Sequence, residues 1–222
     1  MMKKRFELKN NDGIPQWLEE CYNKYLPNSG FFVEVGIGHT VDRHWTAQQT
    51  REVNETAIEP TQRCGSNTLD LLDYNFRGVY IDPIEEFCDE LRLITREKDI
   101  VILNHGCSDK EEMLTLHGGE TFRSNPHTFW PGGVDYIGRQ ISCFPLSKML
   151  DKLKISSPID LMSIDVEGWE MRVLRGIREE HMPKLMIIEI DKSGGAVEQD
   201  LESKGYVCYY RDSRDAAYIK GV

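Results

Sequence analysis

The residues best suited to chemistry stand at the ends of apolar runs. Phe31-Phe32-Val33-Glu34-Val35 runs into Gly36-Ile37-Gly38, two glycines one residue apart. Such a run reads as a strand buried on both faces, and the glycines as the turn leaving it. Glycine permits positive φ and lets a ligand approach the backbone closely. Glu34 is an acid within that apolar strand, and burying an unpaired carboxylate is costly. It therefore faces a polar ligand or caps nearby backbone N–H groups. The run Gly78-Val79-Tyr80-Ile81 ends in Asp82. An acid there is placed to accept hydrogen bonds from both hydroxyls of a ribose, or else to cap the next helix. Two more apolar runs, 159–165 and 184–190, carry acids near their ends at Asp165 and Glu189, and Glu167 follows Asp165 by two.

A dinucleotide fingerprint requires a third glycine, G-x-G-x-x-G. Val41 occupies that position. A nicotinamide cofactor is thereby disfavoured, and a shorter adenosine-bearing ligand without a pyrophosphate stays open.

The elements that must position these residues alternate. Residues 11–15 read as a helix start, with Trp17, Leu18, Cys21, Tyr22 and Tyr25 at helical spacing behind it. Helices are expected over 66–74 and 84–96, around Met149, Leu150 and Leu153, after Gly168, and over 197–203. Strands are expected over 100–104, 113–116, 206–210 and 216–219, the last two joined by a hairpin at 212–215. Strands alternating with helices predict an α/β fold, a mostly parallel sheet covered on both faces, closed here by an antiparallel C-terminal hairpin. One domain, 1–222, is expected, with 1–30 as an N-terminal helical segment. Two irregular stretches, 39–65 and 118–142, read as insertions or loops over the site. The second is rich in glycine, proline and aromatics and is expected to hold no regular element and to line a pocket.

Composition limits the partners. Lys and Arg number 27 against 37 Asp and Glu, a net charge of −10. Such a chain is a poor non-specific nucleic-acid binder, although Arg172, Arg175 and Arg178 could form a local basic patch. The six cysteines are scattered with no C-x-x-C pair, which argues against a zinc site or a disulfide scaffold and fits a reducing cytoplasm. The basic start, residues 1–5, is followed by no apolar segment of signal-peptide type, and no run is long enough to span a bilayer. A cytoplasmic protein acting on a small molecule or glycan is expected, with no nucleic acid and no membrane as partner.

Three segments resemble the FkbM-like family of S-adenosylmethionine-dependent methyltransferases. They are Val33 to Gly38, Gly78 to Pro83, and Ser163-Ile164-Asp165-Val166-Glu167-Gly168-Trp169-Glu170-Met171-Arg172-Val173-Leu174-Arg175-Gly176. The last is similar to that family's I-D-V-E-G-x-E-x-x-V-L-x-G signature and is the most specific; Ser66-Asn67-Thr68-Leu69 also fits. The resemblance covers roughly residues 31–191. It implies a three-layer, Rossmann-like class I methyltransferase sheet and S-adenosyl-L-methionine as cofactor. It also implies that Glu34, Gly36 and Gly38 surround the methionine end, that Asp82 holds the ribose, and that Gly106 and Cys107 border the adenine. Asp165 and Glu167 would lie at the active-site mouth, and the acceptor would be a hydroxyl, as on a sugar.

Methyl transfer to a hydroxyl needs a proton acceptor. Asp165 is the expected base. Glu167, two residues on in an extended chain, would point to the opposite side and orient Asp165 or bond the backbone of the next helix. Both acids could instead merely cap that helix, and His105 and His127 are alternative bases. A divalent metal on Asp165, Glu167 and Glu189 is chemically reasonable, but no metal is the expectation adopted. The competing functions are a Rossmann-like binding or interaction module without catalysis and a nicotinamide-dependent oxidoreductase.

Overall fold

The computed structural model describes residues 5–8, 16–37, 66–116, 138–155 and 158–221. Gly38, the 39–65 stretch, residues 117–137 of the second irregular stretch and the helix start at 11–15 lie outside the described residues.

The chain begins with α1 (Gln16–Tyr25), followed by β1 (Phe31–Val35), a 3-10 helix (Leu69–Tyr74), β2 (Arg77–Ile81), α2 (Glu85–Ile94) and β3 (Ile100–Leu103). Next come β4 (Gly106–Cys107), β5 (Glu112–Thr115), β6 (Gln140–Phe144), α3 (Leu146–Lys152), β7 (Leu161–Ile164) and α4 (Glu170–Arg175). A short 3-10 turn (Glu179–His181), β8 (Leu185–Glu189), α5 (Ala196–Ser203), β9 (Tyr206–Arg211) and β10 (Asp215–Lys220) complete it.

The main sheet has seven strands in the order β3-β2-β1-β7-β8-β10-β9. The pairs β2–β3, β1–β2, β1–β7 and β7–β8 are parallel, and β10 runs antiparallel to both β8 and β9. This is the α/β sheet with an antiparallel C-terminal pair that the sequence predicts. The order turns back at β1, which lies between β2 and β7. Adjacent connections leave β1 in opposite directions there, opening a crevice at the carboxyl ends of β1 and β7 where ligands bind in such sheets.

Alternation explains why β1 is buried throughout. Phe31, Val33 and Val35 join one core cluster with Leu150, Val173 and Leu201 of α3, α4 and α5. Phe32 joins the other, with Leu18 and Tyr22 of α1 and Leu91 of α2. Both faces of the central strands are therefore covered, and a strand covered on both faces reads as a continuous apolar run. The N-terminal helix docks by aromatic contacts: Trp17 stacks on Tyr210 at 4.3 Å and Tyr25 meets Tyr209 edge-on at 5.0 Å.

Three expectations need correction. The helix predicted over 66–74 is a six-residue 3-10 helix that stops where Asn75 turns left-handed, φ 58°. Residues 140–142, placed in a stretch with no regular element, belong to β6. That strand pairs with β4 and β5 in a second, three-stranded sheet of which the sequence foretells only the 113–116 strand. Its other strands are too short and too mixed to carry a periodic signal. Finally, the arginines at 172 and 178 form no basic patch. Arg172 donates to Asp109 and Glu112, and Arg178 to Asp151 and Glu180.

Candidate functional site

The turn after β1 is held from both sides. Gly36 donates its N–H to Ile81 O at 3.0 Å, and Asp165 donates its own to Val35 O at 3.0 Å. Gly36 adopts φ +78°, and a Cβ there would sit 1.7 Å from Asp165 O. Only glycine satisfies both the backbone angle and that approach. The glycine is thus required by the close packing of the β1 and β7 ends, independently of any ligand.

Asp82 fixes the same turn from the β2 side. Its carboxylate accepts from Ile37 N at 2.9 Å and from Ile84 N at 2.8 Å. The side chain is buried at the tip of β2, beside the crevice. It caps the following segment, as one of the two readings expects, and also ties down the glycine turn.

Glu34 is tied to the 66–68 segment. Its carboxylate accepts from Ser66 Oγ at 2.7 Å, Asn67 N at 2.8 Å and Thr68 Oγ1. Thr68 Oγ1 also contacts Tyr80 OH at 3.1 Å, and Asn67 Nδ2 donates to Ser163 Oγ at 3.0 Å. Tyr80 and Ser163 are the register neighbours of Glu34 on β2 and β7, so the strand pairing brings this polar group together. Burial raises the Glu34 carboxyl to about 7 even though these donors favour its charged form.

Gly106 and Cys107 form β4. The Cys107 side chain is buried in the core, where burial raises its thiol above the ordinary range. At Gly106 a Cβ would lie 2.5 Å from Cys143 Sγ. That close approach to β6 accounts for the glycine.

The acids at the ends of β7 and β8 converge. One carboxylate oxygen from each of Asp165, Glu167 and Glu189 lies within 4.8 Å of the others. The expectation that Asp165 and Glu167 point to opposite sides fails because the chain does not stay extended. Glu167 has φ 57° and Gly168 φ 101°, so the backbone reverses there and brings Glu167 back. Neither is the backbone of the next helix bonded by Glu167. Glu170, at the start of that helix, ties down the preceding turn instead: its carboxylate accepts from Val166 N at 3.2 Å and Gly168 N at 2.9 Å.

Two cations lean on the trio. Lys192 Nζ donates to Glu167 Oε2 at 2.5 Å and Glu189 Oε1 at 3.0 Å. Arg214 lies 3.3 Å from Glu189 Oε1 and 3.5 Å from Asp165 Oδ2. Asp212 holds Arg214 in place by accepting from the N–H groups of Arg214 and Asp215 at 2.8 Å. Burial, and next the charge of Glu189, push the Asp165 carboxyl well above the usual range; Arg214 pulls the other way. Burial also raises Glu189 against the pull of Lys192, and raises Asp215 to about 6. Burial would lower Lys192, yet Glu167 and Glu189 outweigh it and raise the ammonium.

The sequence names Glu189 only as a possible metal ligand and singles out neither Lys192 nor Arg214. An acid-tipped fifth strand was the available signal for the first. Nothing local marks Lys192 or Arg214, which arrive through the β8 turn and the C-terminal hairpin. His105 packs its ring against Phe144 at 4.9 Å, and burial lowers its pKa. His127 lies outside the described residues.

Comparison with known proteins adds the family. No curated protein matches the sequence. Among solved structures, TrmK of M. capricolum, in complex with S-adenosyl-homocysteine, is 12% identical with a TM-score of 0.43, over 94% of this chain and 69% of that one. A fibrillarin/Nop5p complex is 11% identical with a TM-score of 0.47, over 98% of this chain and 90% of that one. The sequence itself matches the family described as Methyltransferase FkbM domain across residues 28–208. That span takes in the glycine turn, Asp82 and all three converging acids. The chain belongs to the FkbM methyltransferase domain family, and its general chemistry is S-adenosylmethionine-dependent methyl transfer.

Proposed function

We propose that the protein transfers methyl to a hydroxyl oxygen of a sugar or related small molecule, with Asp165 as the proton acceptor. The observation that carries this reading is the cluster of Asp165, Glu167 and Glu189 at the β7 and β8 ends, beside the glycine turn.

S-adenosylmethionine, when bound, supplies an electrophilic methyl on a sulfonium. The protein's own work is then orientation and handling of one proton. Gly36 and Asp82 would hold the methionine and ribose portions at the β1–β2 side of the crevice. Glu34 would act one layer below, fixing residues 66–68 against β1 through its three accepted hydrogen bonds. The backbone at Gly106 and Cys107 would border the adenine.

On the β7 side, a hydroxyl attacking the methyl must lose its proton. Asp165 is suited to take it because its raised pKa brings it nearer neutrality, where a base is most effective. Arg214, close to Oδ2, keeps the carboxylate oriented. Glu167, neutralised in part by Lys192, adds an acceptor for a neighbouring hydroxyl. Several carboxylates around one spot suit a polyhydroxylated acceptor better than an amine, whose cationic form they would stabilise and so withhold from attack.

The test has two steps. Calorimetric titration with S-adenosylmethionine, S-adenosylhomocysteine and NAD should give one-to-one binding of the first two and none of NAD. Radiolabelled methyl should then appear as a methyl ether on a member of a sugar panel. Label found on nitrogen or carbon acceptors but never on oxygen would overturn the O-methyl reading.

A further inference from the structure

We infer that Asp165, Glu167 and Glu189 form a binding site for one hard divalent cation of the Mg²⁺ or Mn²⁺ type. Three observations combine.

The first is geometric. Three carboxylate oxygens within 4.8 Å of one another are spaced to share a single ion, each reaching it at an ordinary oxygen–metal distance of roughly 2.0–2.6 Å. All three ligands are carboxylates, with no sulfur or imidazole among them. That set selects magnesium, calcium or manganese over zinc or copper.

The second is an unmet demand inside the trio. Glu189 is 1% exposed, and its Oε2 is buried without a hydrogen-bond partner among the described residues. Asp165 Oδ1 is buried without one as well. The opposite oxygens of the same two carboxylates are those that Lys192 and Arg214 engage, Glu189 Oε1 and Asp165 Oδ2. The protein's own cations therefore approach one edge and leave the two buried oxygens to another ligand. Burying an oxygen acceptor with nothing to accept is costly, more so for a charged group.

The third is charge. Asp165, Glu167, Glu189, Asp191 and Asp215 gather at these strand ends, and among the described residues Lys192 and Arg214 are the cations paired with this group. Two cations against five acids leave three negative charges. A divalent ion removes most of that excess.

Cation binding stands on this geometry alone. Its use, docking the oxygens of a hydroxylated acceptor beside the cofactor, rests on the O-methyltransferase reading. In that use the ion would acidify and orient the acceptor hydroxyl.

The probe is Mn²⁺ alone, followed by electron paramagnetic resonance, with Mg²⁺ as competitor and no cofactor or acceptor present. The wild-type chain should bind one Mn²⁺ saturably and release it to Mg²⁺. Glu189→Gln and Asp165→Asn should each weaken binding at least tenfold, with far-ultraviolet circular dichroism confirming that both variants fold. Lys192→Gln, which removes a competing positive charge, should tighten it. Absence of saturable binding at millimolar Mn²⁺, or binding indifferent to Glu189→Gln and Asp165→Asn, overturns the site. The methyl-transfer reading fails separately: saturable Mn²⁺ binding in a chain that binds no S-adenosylmethionine upholds the ion site and sinks that reading. Methyl transfer unaffected by chelator in a chain without Mn²⁺ binding does the reverse.

Discussion

Two buried carboxylate regions lie on either side of the Gly36 turn, and they solve the same problem in opposite ways. Glu34 is surrounded by donors: two hydroxyls and a backbone N–H meet its oxygens. Asp165 and Glu189 are surrounded largely by other acids, with two buried oxygens lacking any donor among the described residues. The first region satisfies its acid internally and so holds β1 to the 66–68 segment. The second leaves its acids poised for something from outside, a proton, a hydroxyl or a cation. Residue type alone does not separate a structural acid from a reactive one; the donors around it do.

The largest test of this contrast is at the turn between the two regions. Gly36→Ala would force a Cβ to 1.7 Å from Asp165 O at φ +78°. The β1 and β7 ends must then separate, disturbing both regions together. A loss of roughly 5 kcal/mol in chemical denaturation is expected, enough to leave little folded protein. A variant as stable as wild type would show that the two ends are not rigidly packed.

Next comes the pH dependence that Glu34 imposes. Its carboxyl rises from 4.5 to about 7 on folding, so the folded chain holds a proton that the unfolded chain gives up. The sign follows: the stabilisation is full below pH 4.5 and is lost as pH rises toward 7. The shift corresponds to about 3 kcal/mol. Glu34→Gln should lack this loss, so the stability difference between variant and wild type should change by about 3 kcal/mol across that window. A constant difference would mean that Glu34 is not held neutral by burial.

A smaller effect should appear in the cofactor. Asp82→Ala removes the carboxylate that ties Ile37 and Ile84 and is proposed to meet the ribose. Affinity for S-adenosylhomocysteine should fall by about 2 kcal/mol, or roughly thirtyfold. An unchanged affinity in a folded variant would remove the ribose role and leave Asp82 as a clamp on the turn.

The main sheet was legible in the sequence because its central strands are covered on both faces, and such strands appear as apolar runs, here with one polar residue each. Phe31–Val35, Leu161–Ile164 and Leu185–Glu189 all read this way. The small sheet was not, since β4 is two residues long and β6 takes its partners from distant segments. Asp82, Asp165 and Glu167 were legible as acids at strand ends. Their arrangement was not. The left-handed backbone at Glu167 reverses a chain that spacing alone would extend. Lys192 and Arg214 reach the cluster through turns whose courses no local pattern encodes. For Glu34, the sequence marked the oddity of a buried acid, but its donors come from the 66–68 segment, more than thirty residues away.

The most direct test compares Asp165→Asn with Glu34→Gln in single-turnover methyl transfer from labelled S-adenosylmethionine to whichever hydroxyl acceptor the panel identifies. Asp165→Asn should fold, bind S-adenosylhomocysteine as wild type does, and transfer about a thousandfold more slowly, the scale of a lost general base. Glu34→Gln should change stability with pH while keeping a near-normal transfer rate. The reverse pattern, with Asp165→Asn transferring normally and Glu34→Gln failing while folded, would contradict the assignment of chemistry to the β7 and β8 ends.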